Sequence, residues 1–249
     1  MLPVLNIGPL ALQTSGLAIL LGLWLGLWLA EKFSAKRGVP PNLLYNLVFV
    51  ALVTGLIGAR LAYLVRYPEA FARSPLSAVS LNPGLLDPLG GLAVGIISGA
   101  IYAQWKKMEL WPTLDALTPL LAVMAIALGF SHLASGAAFG ARTQVLWAIE
   151  LWGTPRHPSQ VYEIVSAAAI LLILWPGKWG EHEPAGRYFL LFVALSALAL
   201  LILEAFRGDS LLLPGGWRAT QIAAWLLLAA SLWGLHRLQT KPKTPTEIA

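Results

Sequence analysis

Residues 153–163 read GTPRHPSQVYE and gather Arg156, His157, Gln160 and Glu163 in a chain that is otherwise mostly Leu, Ala and Gly. A guanidinium can hold an oxyanion in its planar fork, and an imidazole with a carboxylate can move a proton. Pro158 suits the first turn of a helix, where its missing N–H costs nothing. Arg156 and His157 then precede that helix, while Gln160 and Glu163 share one of its faces. A helix start with free backbone N–H groups, positive dipole and the charge of Arg156 makes an anion site. The bland reading of the same residues is a well-capped helix with snorkelling termini.

Other polar residues stand in apolar surroundings. A charge at the centre of a membrane helix costs about 2.5 to 3.5 kcal/mol on insertion scales, so one that persists faces a cavity or a partner. Arg60 lies in GARLAYLVRY with Tyr63 and Tyr67 on its helix face, and is either a fork for a lipid phosphate or half of a buried pair with Glu163 or Glu204. Asp115 reads as a charge favoured by the dipole at the start of its helix. Glu204 and Arg207, at i,i+3, close the sixth apolar segment as a surface pair or as part of a site. His132, near the end of the fourth, is either a base titrating near neutral pH or a histidine hydrogen-bonded at a helix end.

The elements that must position these groups follow from composition. The 249 residues are 57% hydrophobic and 12% charged, with mean hydropathy +0.70, against about a quarter charged in soluble domains. Apolar stretches near membrane-crossing length recur at 10–30, 44–65, 86–104, 114–134, 158–175, 187–206 and 217–236. The expectation is an all-α polytopic integral membrane protein of about seven transmembrane helices, a single domain over 1–236 with a polar tail over 237–249.

Lys32, Lys36, Arg37, Lys106, Lys107, Lys178, Arg237, Lys241 and Lys243 fall on one side, against Arg66, Arg73, Arg142, Arg156, Arg207 and Arg218 on the other. That bias puts the N-terminus outside and the C-terminus in the cytoplasm. No basic residue precedes the first segment, so it reads as a retained span rather than a signal peptide. The net charge of +5 is cytoplasmic anchoring beside anionic lipid, not a nucleic-acid surface. Cysteine is absent, so any thiol must come from a substrate. The histidines at 132, 157, 182 and 236 lack ligand spacing, and neither a metal nor a cofactor is expected. Gly22 with Gly26, and Gly91 with Gly95 and Gly99, read as helix-packing seams. Residues 136–157, with Trp147 and Trp152, read as an interfacial element.

Arg156-His157-Pro158-Ser159-Gln160 followed by Tyr162-Glu163 resembles the most recognisable string of the prolipoprotein diacylglyceryl transferases, seven-helix enzymes of the bacterial inner membrane. Gly58-Ala59-Arg60 with Tyr63 is similar to that family's second-helix motif, Ile7-Gly8-Pro9 to its N-terminal lead, Gly90-Gly91-Leu92 to its third-helix motif, and Glu204-Ala205-Phe206-Arg207 to its sixth-helix end. The resemblance implies transfer of a diacylglyceryl group from phosphatidylglycerol to the lipobox cysteine thiol of a preprolipoprotein. It implies substrate contacts from Arg60, Tyr63, Arg156, Ser159, Gln160 and Arg207, with His157, Glu163 and Glu204 at the catalytic centre. The partners it implies are phosphatidylglycerol, the lipobox peptide and membrane lipid.

The chain departs from the family at Leu89, where a histidine precedes the Gly-Gly-Leu, and along GFSHLASGAAFG. There Gly129, His132 and Ala137 stand for arginine, asparagine and glutamate, while Gly136 and Gly140 agree. Ser196 and Leu200 replace a tyrosine and an arginine. His132 is then the candidate for the missing base. A second reading follows from the same departures: a non-catalytic paralogue that binds anionic phospholipid or a lipoprotein precursor. A transporter fits less well, since the charges gather towards one membrane face and no paired broken helices occur in inverted halves.

Overall fold

Backbone amides in hydrocarbon must be satisfied within their own segment, so apolar runs of this length fold as helices. The computed structural model describes residues 4–7, 10–72, 83–180 and 183–240. Its helices are α1 (Thr14–Ser34), α2 (Pro41–Arg66), the short α3 (Pro68–Ala72), α4 (Pro88–Trp105), α5 (Leu110–Ser135), α6 (Ser159–Ile173), α7 (Arg187–Leu203) and α8 (Ala219–Gln239). Among the described residues six helical spans are long and apolar enough to cross a membrane: α2, α5 and α8, and α1, α6 and α7 taken with the 3-10 turns that follow them, as Thr14–Arg37, Ser159–Lys178 and Arg187–Phe206. The remaining expected span is α4, whose 18 residues end on Gln104 and Trp105 at the lower edge of that length. The chain is an all-α polytopic membrane protein. Gly8, Pro9, Arg73, Pro75, His182, Lys241 and Lys243 lie outside the described residues.

Two short antiparallel hairpins join the helices, β1 (Val4–Ile7) with β2 (Leu10–Gln13) and β3 (Ile149–Leu151) with β4 (Thr154–Arg156). The second falls inside the expected interfacial stretch. Its turn residues Trp152 and Gly153 have φ of 57° and 69°, the left-handed pair that a two-residue hairpin turn demands. Trp147 and Trp152 are exposed.

The helices group into two units, residues 38–113 and residues 1–37 with 114–249. In the smaller unit, α4 lies against α2 along the glycine seam expected from sequence. A methyl group at Gly91 would stand 2.9 Å from the Gly55 carbonyl oxygen, and one at Gly95 would stand 2.9 Å from that of Ala51. Only hydrogen fits there, and the Thr54 and Ser98 hydroxyls then hydrogen-bond across the seam. Asp87 caps α4 by accepting the Gly90 N–H at 2.8 Å and pairs with Arg66 at 3.0 Å. The Gly90 amide, then Arg66, hold its carboxyl below the usual value.

In the larger unit, Gly22 and Gly26 of α1 meet Ala127 and Leu120 of α5. Asp115 departs from the reading of a charge at the start of its own helix. Because α5 already begins at Leu110, Asp115 is inside it, fully buried, and accepts the N–H groups of Gly186 and Phe189 at 2.8 Å each. It therefore caps α7, whose first amides have no partner within their own helix. Its counter-charge is Arg37 at 3.6 Å, a residue whose side chain is only 5% exposed and whose guanidinium lies over the stacked Trp179 and Tyr188 rings. Arg37 is thus a buried strut rather than a lipid anchor.

Removing one partner of a buried pair leaves the other charge uncompensated, at a cost of about 3–5 kcal/mol. Asp115→Ala is expected to lower the thermal unfolding midpoint in detergent by many degrees. The exposed-pair variant Asp87→Asn is expected to change it far less, and equal effects would contradict the burial argument.

Candidate functional site

Four element ends of the larger unit supply the polar groups. These are the last turns of α5, the RHPSQ stretch entering α6, the 3-10 turn Glu204–Phe206 after α7, and Arg218 before α8. A backbone frame ties them. The Ala141 N–H donates to the Phe206 carbonyl at 2.8 Å and the Gly208 N–H to that of Phe139 at 2.9 Å. On the other side the His157 N–H donates to Ala141 at 3.0 Å and the Thr143 N–H to Pro155 at 3.1 Å. Gly140 thereby pairs with Arg207, and Arg142 with Arg156. At this crossing a Cβ on Gly140 would collide with the His157 carbonyl, so glycine is required.

Ser159 and Gln160 hold the same frame. The Ser159 hydroxyl donates to the Ala138 carbonyl at 2.5 Å and the Gln160 amide to that of Ala137 at 2.9 Å. Both side chains are buried, and these bonds keep Ala138 in a left-handed conformation, φ 52°, that an alanine does not adopt cheaply. These two residues, expected as substrate contacts, support the loop through these bonds. The start of α6 also differs from the open anion site expected: the Ser159 N–H donates to His157 and those of Val161 and Tyr162 to Pro158. Most of the orphan donors are already used.

The charged groups meet at Glu163. His132 Nδ1 lies 2.8 Å from Glu163 Oε2, and Arg207 Nη1 lies 3.5 Å from Oε1. When Glu163 is ionised its carboxylate accepts from Nδ1, which leaves Nε2 as the nitrogen that can receive a proton. This contact depends on Gly129. A Cβ there would stand 2.7 Å from Ile164 Cγ1 and 3.2 Å from the Ile164 amide nitrogen, so α5 and α6 touch at that point. One turn further on, His132 and Glu163 come within hydrogen-bonding reach. Gly129 is therefore part of how the histidine finds its partner.

Arg207 is shared by several carboxylates. Asp209 takes its fork bidentately, Nε to Oδ1 at 3.0 Å and Nη2 to Oδ2 at 3.1 Å, and Glu204 Oε2 lies 3.8 Å from Nε. Burial would lower the Arg207 pKa, but the hydrogen bonds and charge of Asp209, then Glu163 and Glu204, outweigh it and hold it above the usual value. Glu204 is 1% exposed and its carboxylate accepts no hydrogen bond among the described residues. Arg218 anchors this turn by donating to the Glu204 carbonyl and to the Ser210 hydroxyl. Neither Asp209 nor Arg218 stood out in the sequence, since both lie past helix ends where no periodicity points to them.

Arg156 is different. Its Nη1 donates to the Gly140 carbonyl at 3.1 Å, and its guanidinium lies over Phe139 at 4.9 Å. It makes none of the ion pairs among the described residues, and its Nε is buried without a partner. His157 joins an aromatic cluster, 3.3 Å from the Tyr162 hydroxyl and 5.1 Å between ring centres from Phe206, while Trp147 Nε1 donates to the same hydroxyl at 2.7 Å. Arg60 and Tyr63 belong to the smaller unit. There Arg60 Nη1 donates to the Leu85 carbonyl at 2.8 Å and lies over Phe71, and Tyr63 packs on Tyr67 at 4.8 Å. Leu89, at the position of the family's histidine, is 75% exposed in the first turn of α4.

A side chain forced into the α5–α6 contact separates the helices, and overpacking of this kind costs about 1–3 kcal/mol. Gly129→Leu is expected to lower the unfolding midpoint and to break the His132 hydrogen bond, seen as a changed imidazole shift by NMR. A variant with unaltered stability and imidazole signal would contradict the packing account.

The sequence comparisons agree with the motif string. The family model described as prolipoprotein diacylglyceryl transferase matches residues 3–237. Similar proteins named phosphatidylglycerol–prolipoprotein diacylglyceryl transferase occur in Corynebacterium glutamicum, 26% identical over 97% of this chain and 84% of that protein, and in Thermosynechococcus vestitus, 28% identical over 96% and 93%. A third, from Shouchella clausii, is 25% identical over 95% and 90%. With the match running nearly end to end, the chain belongs to the prolipoprotein diacylglyceryl transferase family.

Proposed function

We propose that this transferase moves the diacylglyceryl group of phosphatidylglycerol onto the cysteine thiol of a preprolipoprotein lipobox, at the outer face of the bacterial inner membrane. The observation that carries the reading is the carboxylate of Glu163 joining a histidine base, His132, to the guanidinium of Arg207. A free thiol has a pKa of about 8.5 and is a poor nucleophile until its proton is removed. In this reading Nε2 of His132 takes that proton, and Glu163 orients the ring and offsets the charge that forms on it. The sulfur then attacks the glycerol carbon that bears the phosphate. A C–S bond forms, the C–O bond breaks, and glycerol phosphate departs with the bonding pair.

Arg156 and Arg207 are the donors for the departing phosphate; for Arg60 and Tyr63, in the smaller unit, substrate contact is implied by the resemblance alone. Arg156 is favoured for the first contact because no carboxylate neutralises it among the described residues. His157 lines the entry with Tyr162 and Phe206, Ser159 and Gln160 brace the loop, and Glu204 orients Arg207. The cysteine-free chain suits this chemistry, since the nucleophile belongs to the acceptor protein. The N-terminus outside and the C-terminus in the cytoplasm complete the proposal.

A second reading is a paralogue that binds anionic lipid or lipoprotein precursor without transfer. It is favoured by the bidentate Asp209 on Arg207 and by Gly129, where no cationic side chain has room.

Purified protein given labelled phosphatidylglycerol and a lipobox peptide is expected to form thioether-linked lipid, and to rescue a strain depleted of its own transferase. His132→Ala is expected to lower kcat by about 10² to 10⁴, the usual worth of a general base. Lipid binding with neither product nor rescue would establish the second reading in its place.

A further inference from the structure

Arg207 is the phosphate donor with the best-formed fork, and that fork is already occupied. Its Nε and Nη2 edge, the edge that meets an oxyanion with two parallel hydrogen bonds, is filled by both oxygens of Asp209. Around this one guanidinium stand Glu163, Glu204 and Asp209. With His132 neutral and all three carboxylates ionised, the four side chains sum to a formal charge of −2 (one positive, three negative), and a lipid phosphate arriving there meets repulsion rather than a vacant cation. Phosphate and this set of carboxylates cannot share the fork, so one of them must give way.

The three differ in what release would cost. Glu204 is 1% exposed, and freeing it would strand a buried charge. Glu163, 17% exposed, is also held by His132. Asp209 has a side chain 25% exposed, its only ion pair among the described residues is the one with Arg207, and it sits beyond the 3-10 turn next to Gly208. It is the most exposed of the three, so returning its carboxylate to water costs less than freeing either of the others. Gly208 itself is fixed by its N–H to Phe139, so the change is confined to the side chain and the loop that follows.

We propose that Asp209 is an internal occupant of the phosphate position on Arg207, displaced when a phosphorylated ligand binds, so that this residue sets the apparent affinity of the site for lipid phosphate. The proposal rests on Arg207 being a phosphate donor, as the preceding reading holds. The ligand chemistry is a phosphate ester, whether in a phospholipid headgroup or in released glycerol phosphate. Asp209 touches neither reacting atom; it acts on substrate binding through Arg207 and is a positioning residue. Because a ligand's apparent affinity falls with the fraction of sites not competent to bind it, removing the occupant strengthens binding without any new contact.

The test measures KM for phosphatidylglycerol in mixed micelles and the inhibition constant of glycerol phosphate, for the wild type, Asp209→Asn, Asp209→Ser and Arg207→Ala. Both Asp209 variants are expected to lower KM and the inhibition constant by about three- to fivefold, with kcat little changed. Arg207→Ala is expected to raise both. If Arg207→Ala raises both while the Asp209 variants leave them unchanged, Asp209 is not an occupant and this inference fails while the donor role stands. If Arg207→Ala leaves the inhibition constant where it was, the donor role itself fails. Asp209 variants that lose kcat and bind more weakly, as Arg207→Ala does, would show that the carboxylate holds Arg207 in place instead, which also overturns the inference. Vesicles of phosphatidylglycerol compared with phosphatidylcholine separate capture of the lipid headgroup from capture of the free phosphate ester.

Discussion

Glu163 has two oxygens and spends them on two different helix ends, one on His132 at 2.8 Å and one on Arg207 at 3.5 Å. Within a membrane-spanning unit such a carboxylate is costly unless both sides are answered. That requirement draws the end of α5, the start of α6 and the turn after α7 to one place. The supporting features follow from it. Gly129 lets α5 and α6 touch, Gly140 lets the 139–142 segment pass between two others, and Ser159 and Gln160 pin the intervening loop by its carbonyls. A larger residue at either glycine would move the carboxylate away from the groups it joins.

The opposite side of the same unit is built on the same economy. Asp115 is buried, yet it accepts two amides from the start of α7 and faces Arg37, which is itself laid over two aromatic rings. The Asp115 carboxylate is thereby answered on both oxygens, while Nε and Nη2 of Arg37 are buried without a hydrogen-bond partner among the described residues and face only that charge and the rings. At the site end the Glu204 carboxylate, the Gln160 side-chain oxygen and Nε of Arg156 are likewise buried without hydrogen bonds among the described residues.

The helices were legible because hydrocarbon leaves the backbone no other choice: six of the expected apolar segments became membrane-length helices and the remaining one became α4. The RHPSQ string pointed to the polar end of the larger unit for a different reason, since polar residues so dense in apolar sequence need a purpose. What could not be read was who pairs with whom. His132 and Glu163 lie 31 positions apart, and only the Gly129 contact makes them neighbours. Asp115 looked like a cap for its own helix because its partners, Gly186 and Phe189, are more than seventy residues away. Asp209 carries no pattern at all, being a loop residue whose meaning comes from the fork it fills. The hairpin at 149–156 was hidden because its turn uses a tryptophan in a left-handed conformation, a residue that does not announce such a turn.

A double-mutant cycle on the transfer rate tests the shared carboxylate most directly, with His132→Ala, Glu163→Gln and the two combined in one labelled-lipid assay. If His132 is the base and Glu163 acts largely through it, the combined variant should be slowed far less than the product of the two single losses, the remainder being the share of Glu163 that acts through Arg207, because residues that act as a unit are not additive. Losses that multiply would mean that the two groups work independently, and the account of a carboxylate serving the histidine would be wrong.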